Sequence, residues 1–489
     1  MGSRRRRVLR GLGLALVVLT TVCTYRAATT SAPVVDPGPA PTLPALEIDR
    51  IAEELGAAIA IPTVSIPSGG DAQTFVRLRE LLRARYPKVH ATLELELVSE
   101  HAMLLRWRGR DATRAPIILT AHLDVVPVEP GTEAGWTQPP FSGVRADGFV
   151  WGRGAIDDKL GVIGLLHATE RLLEQGFEPS RDVWLALGHD EEVGGSEGAQ
   201  KIAALLEQRG VHAELLLDEG SAVVEGILPG IARPVALIGI AEKGLASFEL
   251  TTSSEGGHSS MPQRDGAIAR LARAVVRVEE HPMPAEVRGP VRAMVERLTP
   301  ELGFAPRLAL ANLWLFEAPL CWASSFNPAT NAVVRTTTAP TVLAAGSADN
   351  VLAARARAVV NFRILPGDSV DDVEAHLHDV IDDDRVAVQR MAHAFEPSPT
   401  SSTSSPGYAA LERVILWTWP DALVGPSLVV GATDARHYAA VADDTYRFLP
   451  MRLTDLDRAR LHGTDERIAT ADLEAAVRFY LSFIMTTAG

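Results

Sequence analysis

The sequence predicts an α/β fold: a mostly parallel sheet with helices on both faces, into which a smaller ferredoxin-like α+β domain is inserted. Three observations lead there. Apolar runs that read as strands buried on both faces alternate with amphipathic helical patterns over the first half of the chain. Near Gly244 the pattern changes to strands with one apolar face, in the order β-α-β-β-α-β. From Ala410 the first pattern resumes, so the second domain interrupts the first.

Each element follows from its periodicity. IDRIAEELGAAIA, from Ile48, has apolar residues at helical spacing. APIILTAHLD from Ala115, DVWLALGHDEE from Asp182 and AELLLDEG from Ala213 are apolar strands. LGVIGLLHATERLLEQG from Leu160 is a helix stopped by Gly176, and GAQKIAALLEQRG from Gly198 is another. In the second domain LASFELTTSS alternates as a one-faced strand and DGAIARLARAVVRVEE is a helix. VVRTTTAPTVLAAG and ARARAVVNFRILPG are strands, SVDDVEAHLHDVI is a helix and RVAVQRMA is the last strand. Residues 281–330, rich in Pro, Trp and Phe, interrupt this domain; Trp314 and Trp322 read as core or pocket wall. ALERVILWTW, SLVVGATD and a final helix complete the first domain. The boundaries are 1–30 for a targeting leader, 31–44 for a Pro-rich linker, 45–243 and 395–489 for the two parts of the larger domain, and 244–394 for the inserted one.

Composition narrows the function. With 489 residues the chain exceeds one ordinary core. A net charge of −14 offers no broad basic field for phosphates, which argues against a nucleic-acid partner. Cys23 and Cys321 are the only cysteines and one lies in the leader, so neither a disulfide framework nor a thiolate metal site is expected. Arg4 to Arg7 and Arg10 precede GLGLALVVLTTVCT, a run of the length of a signal-peptide core and short for a membrane span. The leader is therefore either cleaved on export or kept as an anchor, and the body lies outside the cytoplasm in both cases. Membrane contact is expected only through this leader.

The polar residues cluster at strand ends. His122-Leu123-Asp124, Asp190-Glu191-Glu192 and Asp218-Glu219 each close an apolar strand. Ligands bind at the carboxyl ends of parallel strands, so these groups should converge. Asp157, at the entry to a helix, and His462, in RLHGTDE, join them. Adjacent acids repel and need a cation; a few imidazoles among many carboxylates suit two metals sharing one carboxylate, zinc first, cobalt or manganese as substitutes.

The motifs TAHLDVVP, GWTQPPFSG, WGRGAIDDK, GHDEEVGGSEGA, LLLDEG, GGHSSMP, NFRILPG, GATDAR and RLHGTDE together resemble the co-catalytic zinc amidohydrolase family of aminoacylases, carboxypeptidase S and glutamate carboxypeptidase. NPATNAVVRTTTAPT and the long insertion resemble its carboxypeptidase S and N-fatty-acyl-amino-acid hydrolase branch. The resemblance implies a zinc-peptidase catalytic domain with an inserted lid or dimerisation domain. It implies that His122 and Asp218 hold one zinc, Glu192 and His462 the other, and that Asp157 bridges both. Asp124 would orient His122, and Glu191 would be the general base for a water between the metals. His258 would stabilise the oxyanion, Arg363 would clamp a substrate carboxylate, with Asn350 as a second candidate for that task, and Thr433 and Asp434 would line the pocket without an assigned role. The activity implied is hydrolysis of the amide bond next to a free carboxylate, in a small molecule or a peptide, and the reaction is open to reversal.

Bland readings stand beside these. A lone histidine is more often a satisfied core residue than a ligand, and His101, His167, His189, His212 and His437 read so. Asp158 reads as a helix N-cap. GRG at 152–154 lacks the Lys-Ser/Thr of a phosphate loop. Two rival functions remain: an aminopeptidase or dipeptidase on the same scaffold, in which Arg363 matters little, and a non-catalytic binding protein, for which a ligand or base should be missing. The inserted domain either joins two copies through a sheet edge or is shielded from this by its insertion.

Overall fold

The computed structural model describes residues 2–32 and 35–489; Met1 and two residues of the Pro-rich linker, Pro33 and Val34, lie outside the described residues. The chain divides into two compact units. One joins Ala241–Pro399 to the N-terminal helix, and the other joins the chain up to Ile240, from the linker on, to Thr400–Gly489.

The larger unit is built on a sheet of ten strands among the described residues. Its centre is parallel: Val183–Gly188, Ile117–His122, Ala213–Asp218 and Ala442–Arg447 lie side by side in that order. Glu94–Val98 and Ala102–Trp107 extend one side as antiparallel strands, and Val235–Glu242 begins the other. Burial on both faces follows from alternation. Ile117, Leu119, Leu215 and Leu217 face one core, with the helices Ile48–Ile59, Lys159–Glu174, Pro406–Thr418 and Thr470–Ala488. Ile118 and Leu216 face a second core, with the helix Ala199–Gln208. Asp158 is the N-cap of Lys159–Glu174, accepting from the Gly161 N–H at 3.1 Å. Gly176, with φ of +72°, reverses the chain after that helix, where a side chain would be strained.

The other unit carries a four-stranded antiparallel sheet in the order Thr337–Ala345, Arg355–Ile364, Gly244–Ser253, Val386–Arg390. Helices Ala267–Glu280 and Val370–Ile381 share one core with it, built on Phe248, Leu250, Val360, Phe362, Leu271 and Leu377. This is the β-α-β-β-α-β order with helices on one face. The segment between Ala267–Glu280 and Thr337–Ala345 folds into helices, among them Gly289–Leu298, Phe304–Leu310, Leu313–Ser324 and Pro328–Val334. Trp314 and Trp322 are exposed and belong to no core. Of the two readings, core or pocket wall, the core one fails, because only Leu313 and Cys321 of their helix are buried. The leader is one helix, Gly2–Thr29, and its stretch Arg5–Thr29 is long and apolar enough to cross a membrane by length and composition.

Candidate metal centre

The parallel register brings the polar strand ends together. His122, the last residue of its strand, lies opposite Gly188, after which the chain turns into His189, Asp190, Glu191 and Glu192. Asp218 ends the next strand, opposite Arg447. Asp157 stands just before the helix capped by Asp158, and the Asp157–Asp158 peptide is cis. His462 follows a short helix, with φ of +58°.

Asp157 is the hub. Its Oδ1 lies 2.9 Å from His122 Nε2, and its Oδ2 lies 3.0 Å from His462 Nε2. His462 Nε2 is also 3.2 Å from Glu192 Oε2. Two triads have ligand atoms within 4.8 Å of one another: His122, Asp157 and Glu219, and Asp157, Glu192 and His462. They share Asp157, so two imidazoles and two carboxylates surround one carboxylate with an oxygen for each side. Asp124 supports both: it faces His122 Nδ1 at 3.3 Å, and its two oxygens accept from the N–H groups of Glu191 and Glu192 at 3.2 and 3.1 Å.

The electrostatics show excess buried negative charge. Burial, with the carboxylates of Asp434, Glu192 and Asp157 added, drives the pKa of Glu191 well above the ordinary carboxylate range. Burial and the charges of Asp157 and Asp158 do the same to Glu219. Burial works against the charge of Asp157, but hydrogen bonds to His122 and His462 outweigh it and hold that carboxyl low. The same bonds, from Asp157 and then Glu192, raise His462 to about 10. Carboxylates and imidazoles crowded in this way form a donor set that fits borderline divalent cations.

Some groups stand elsewhere than the sequence pattern suggests. Asp218 is not grouped with His122 and Asp157. It falls on the Leu216 face of its strand, where Thr120 Oγ1 and the Ala435 N–H donate to its two oxygens. Its neighbour Glu219 stands in the triad instead. Asp190 accepts from the N–H groups of Glu197 and Gly198 at 2.7 and 2.8 Å, which separates it from Glu191 and Glu192. Asp434 is buried beside Asp218, which adds to burial in raising its pKa. The Thr433 hydroxyl caps the short turn that follows.

Sequence reasoning missed a supporting ion pair. Arg153, in GRG, and Glu466, in HGTDE, are both buried and meet at 2.6 Å. Glu466 Oε1 accepts from the N–H groups of Gly154, Ile156 and Asp157 at 2.9–3.3 Å. Arg153 Nη2 donates to the carbonyls of His462 and Gly463 at 3.0 and 2.9 Å. The pair thus ties the Asp157 loop to the His462 loop.

In the inserted unit His258 and Asn350 are neighbours. His258 pairs with Val351 across a two-residue ladder, and the Ser259 N–H donates to the Asn350 carbonyl at 3.1 Å. His258 is exposed, and its Nδ1 accepts from the Ser260 N–H. Arg363 is half-buried in the strand Arg355–Ile364, opposite Leu245 and Thr337.

A carboxylate set between two imidazoles at the carboxyl ends of parallel strands defines a metal-dependent hydrolase site. The chain belongs to peptidase family M20/M25/M40, whose model matches residues 118–486. It is a metallopeptidase or amidohydrolase, a divalent-metal-dependent enzyme acting on amide bonds. A probable carboxypeptidase S-like protein of Dictyostelium discoideum is 36% identical over 482 residues, covering 97% of this chain and 92% of the relative. An N-fatty-acyl-amino acid synthase/hydrolase of Xenopus tropicalis is 40% identical over 446 residues, covering 90% and 86%. The solved structure of an M20 family metallo-carboxypeptidase from Sulfolobus solfataricus shares the fold, with a TM-score of 0.65 at 18% identity, covering 89% of this chain and 98% of that one.

Proposed function

We propose that this enzyme hydrolyses the amide bond of N-acyl amino acids or peptides whose amino-acid portion carries a free carboxylate. The observation that carries the reading is Asp157 shared between the two triads, with the ionisable Glu191 beside them. His122, Asp157 and Glu219 would hold one metal and Asp157, Glu192 and His462 the other; Glu219 takes the place that the sequence pattern gave to Asp218. Zinc, or cobalt or manganese, supplies polarisation of the amide carbonyl and a water acidified toward neutral pH.

The chain's own residues do the rest. Glu191 takes a proton from the attacking water and returns it to the leaving amine nitrogen. Asp124 keeps the His122 ring and the Glu191–Glu192 backbone in place. Arg363 binds the substrate carboxylate through its guanidinium fork, and His258 stabilises the oxyanion, with Asn350 at the His258 end of the inserted unit. Fatty-acyl amino acids fit the name of the Xenopus relative and C-terminal peptide bonds that of the Dictyostelium one. The same residues serve condensation when concentrations favour it. The leader places the body outside the cytoplasm, and the exposed edge strand Thr337–Ala345 is where a second copy would pair.

The test offers N-oleoyl-phenylalanine, N-acetyl-methionine and a blocked dipeptide, each as free acid and as carboxamide, to zinc-loaded enzyme. Hydrolysis of the acids with little turnover of the carboxamides is expected. Equal rates on both overturn the carboxylate requirement. Full activity after exhaustive chelation overturns the metal requirement.

A further inference from the structure

We propose that the insertion helices Phe304–Leu310 and Leu313–Ser324, together with a retained N-terminal helix, form a surface that lies in the outer boundary of a lipid bilayer. The proposal is independent of the hydrolase reading. It starts from residues 302–326, LGFAPRLALANLWLFEAPLCWASSF, which contain only two charged side chains. Both are turned inward. The Arg307 guanidinium donates to the Leu302 carbonyl at 2.7–3.1 Å, and Glu317 accepts from the Val287 N–H at 2.9 Å and from Arg292 at 3.3 Å.

The face left outside is apolar and aromatic. Phe304 and Trp314 are each 57% exposed, Trp322 is 68% and Phe326 is 72%. Trp322 and Phe326 meet edge to face with centroids 4.8 Å apart. A helix apolar around its whole circumference belongs in a protein core or in lipid, and this one is in no core. Indole rings favour the boundary between headgroups and acyl chains.

What covers this face is indicated by its neighbour. The C-terminal end of the leader helix is bonded to the same helices: buried Asn312 donates from Nδ2 to the Cys23 carbonyl at 3.0 Å, and Arg26 Nε donates to the Ala311 carbonyl at 3.2 Å. Cys23 and Ala27 are buried there, whereas Val8, Leu12, Leu16 and Val18 are exposed. Crossing a bilayer core of ~30 Å takes about 20 residues, and residues 8–27 supply them, with Arg10 and Arg26 near the two ends, where long basic side chains reach the headgroups. Cys23 to Ala27 therefore sit at the far edge of the hydrocarbon layer, and the helix Phe304–Leu310 with Ala311 and Asn312, which meet them, shares that level and carries the next helix, with its Trp314 and Trp322, from there. The arginines before Val8 fix the leader's start on the cytoplasmic side, so the insertion meets the outer leaflet.

The test uses the full chain reconstituted in vesicles of phosphatidylcholine and phosphatidylglycerol, with part of the phosphatidylcholine brominated on its acyl chains. Trp314 and Trp322 are two of eight tryptophans, so brominated lipid should remove up to about a quarter of the emission, and the double variant Trp314→Phe/Trp322→Phe should lose that quenched component. Aqueous iodide should leave the same component untouched in the wild-type protein, a readout that needs no variant. Equal bromine quenching of variant and wild type, or iodide access to these indoles in vesicles, overturns the proposal. So does a second protein covering them without lipid quenching. Membrane-recovered enzyme whose N-terminus begins beyond Thr29 overturns the retained helix.

Discussion

Replacing Glu466 by Gln should loosen the metal centre without touching a ligand. The substitution keeps the shape and one carbonyl oxygen, so the N–H groups of Gly154, Ile156 and Asp157 still find an acceptor, now neutral. The second oxygen, 2.6 Å from Arg153 Nη1, becomes an NH2 group facing another donor. Arg153 is 2% exposed and is left as a buried charge without its counter-charge. Removing one partner of such a pair costs ~3–5 kcal/mol. The unit that holds the site has roughly 300 residues, and at about 2.1 cal/mol/K per residue its unfolding entropy is ~0.6 kcal/mol/K, so Tm should fall by about 5–8 °C. Burial raises the pKa of Glu466 despite Arg153, so the pair positions the loops more than it stabilises them. Arg153→Met combined with Glu466→Gln should therefore recover part of the lost Tm. The assay is calorimetric Tm for the two single variants and the double, with zinc affinity measured by chelator competition. A Glu466→Gln enzyme within 1 °C of wild type and with unchanged zinc affinity would refute the claim that this pair ties the Asp157 and His462 loops.

Three further outcomes are expected. Arg363→Ala should raise KM for carboxylate substrates about 10- to 100-fold, from roughly 1.5–3 kcal/mol for a charge-assisted contact, and leave carboxamide substrates unaffected; equal effects on both would remove Arg363 from carboxylate recognition. Asp190→Ala deletes the acceptor of two backbone N–H groups and should cost ~3 kcal/mol in denaturant unfolding; an unchanged midpoint would show that water replaces those bonds. Burial, with Arg363 nearby, depresses the pKa of Lys243 from 10.5 to about 7. Between those values the unfolded lysine holds a proton that the native one lacks, so stability gains up to ~1.4 kcal/mol per pH unit as pH rises from 7 to 10.5. Lys243→Met should lose this slope in unfolding titrations at pH 7, 8 and 9, and a variant with the wild-type slope would assign the effect elsewhere.

The layered architecture was legible because it rests on periodicity. Strands buried on both faces need apolar residues at every position, and VWLALG and IILTA supply them; the antiparallel sheet of the inserted unit needs alternation, and FELTTS supplies that. The convergence of His122, Asp157, Glu192 and His462 was legible for a different reason. Parallel strands deliver their carboxyl ends to one edge, so polar residues closing apolar runs meet there whatever lies between them in the chain. The core reading of Trp314 and Trp322 fails because an apolar sequence does not say what buries it. Trp314 and Trp322 look like core residues by composition, but only two positions of their helix are buried within the chain.

The three consecutive acids 190–192 show where sequence reasoning about a site stops. An acid closing a buried strand has two escapes from desolvation, a cation or a set of N–H donors, and both look alike in sequence. Glu191 and Glu192 have their own N–H groups tied to Asp124, which leaves their carboxylates crowded by other acids. Asp190 takes the second escape because the chain doubles back through Gly194, at φ of +108°, and presents the N–H groups of Glu197 and Gly198 to it. The same choice separates Asp218 from Glu219: Thr120 and the Ala435 N–H satisfy the first, and the second is left among like charges near Asp157. How fully an acid is satisfied within the chain is what separates them: Asp190 and Asp218 each have two donors, whereas Glu192 has one N–H, that of Val126 at 3.2 Å, and stays beside Asp157 and His462. That property depends on where distant backbone N–H groups fall, and the family pattern DEG, which contains both acids, does not distinguish them.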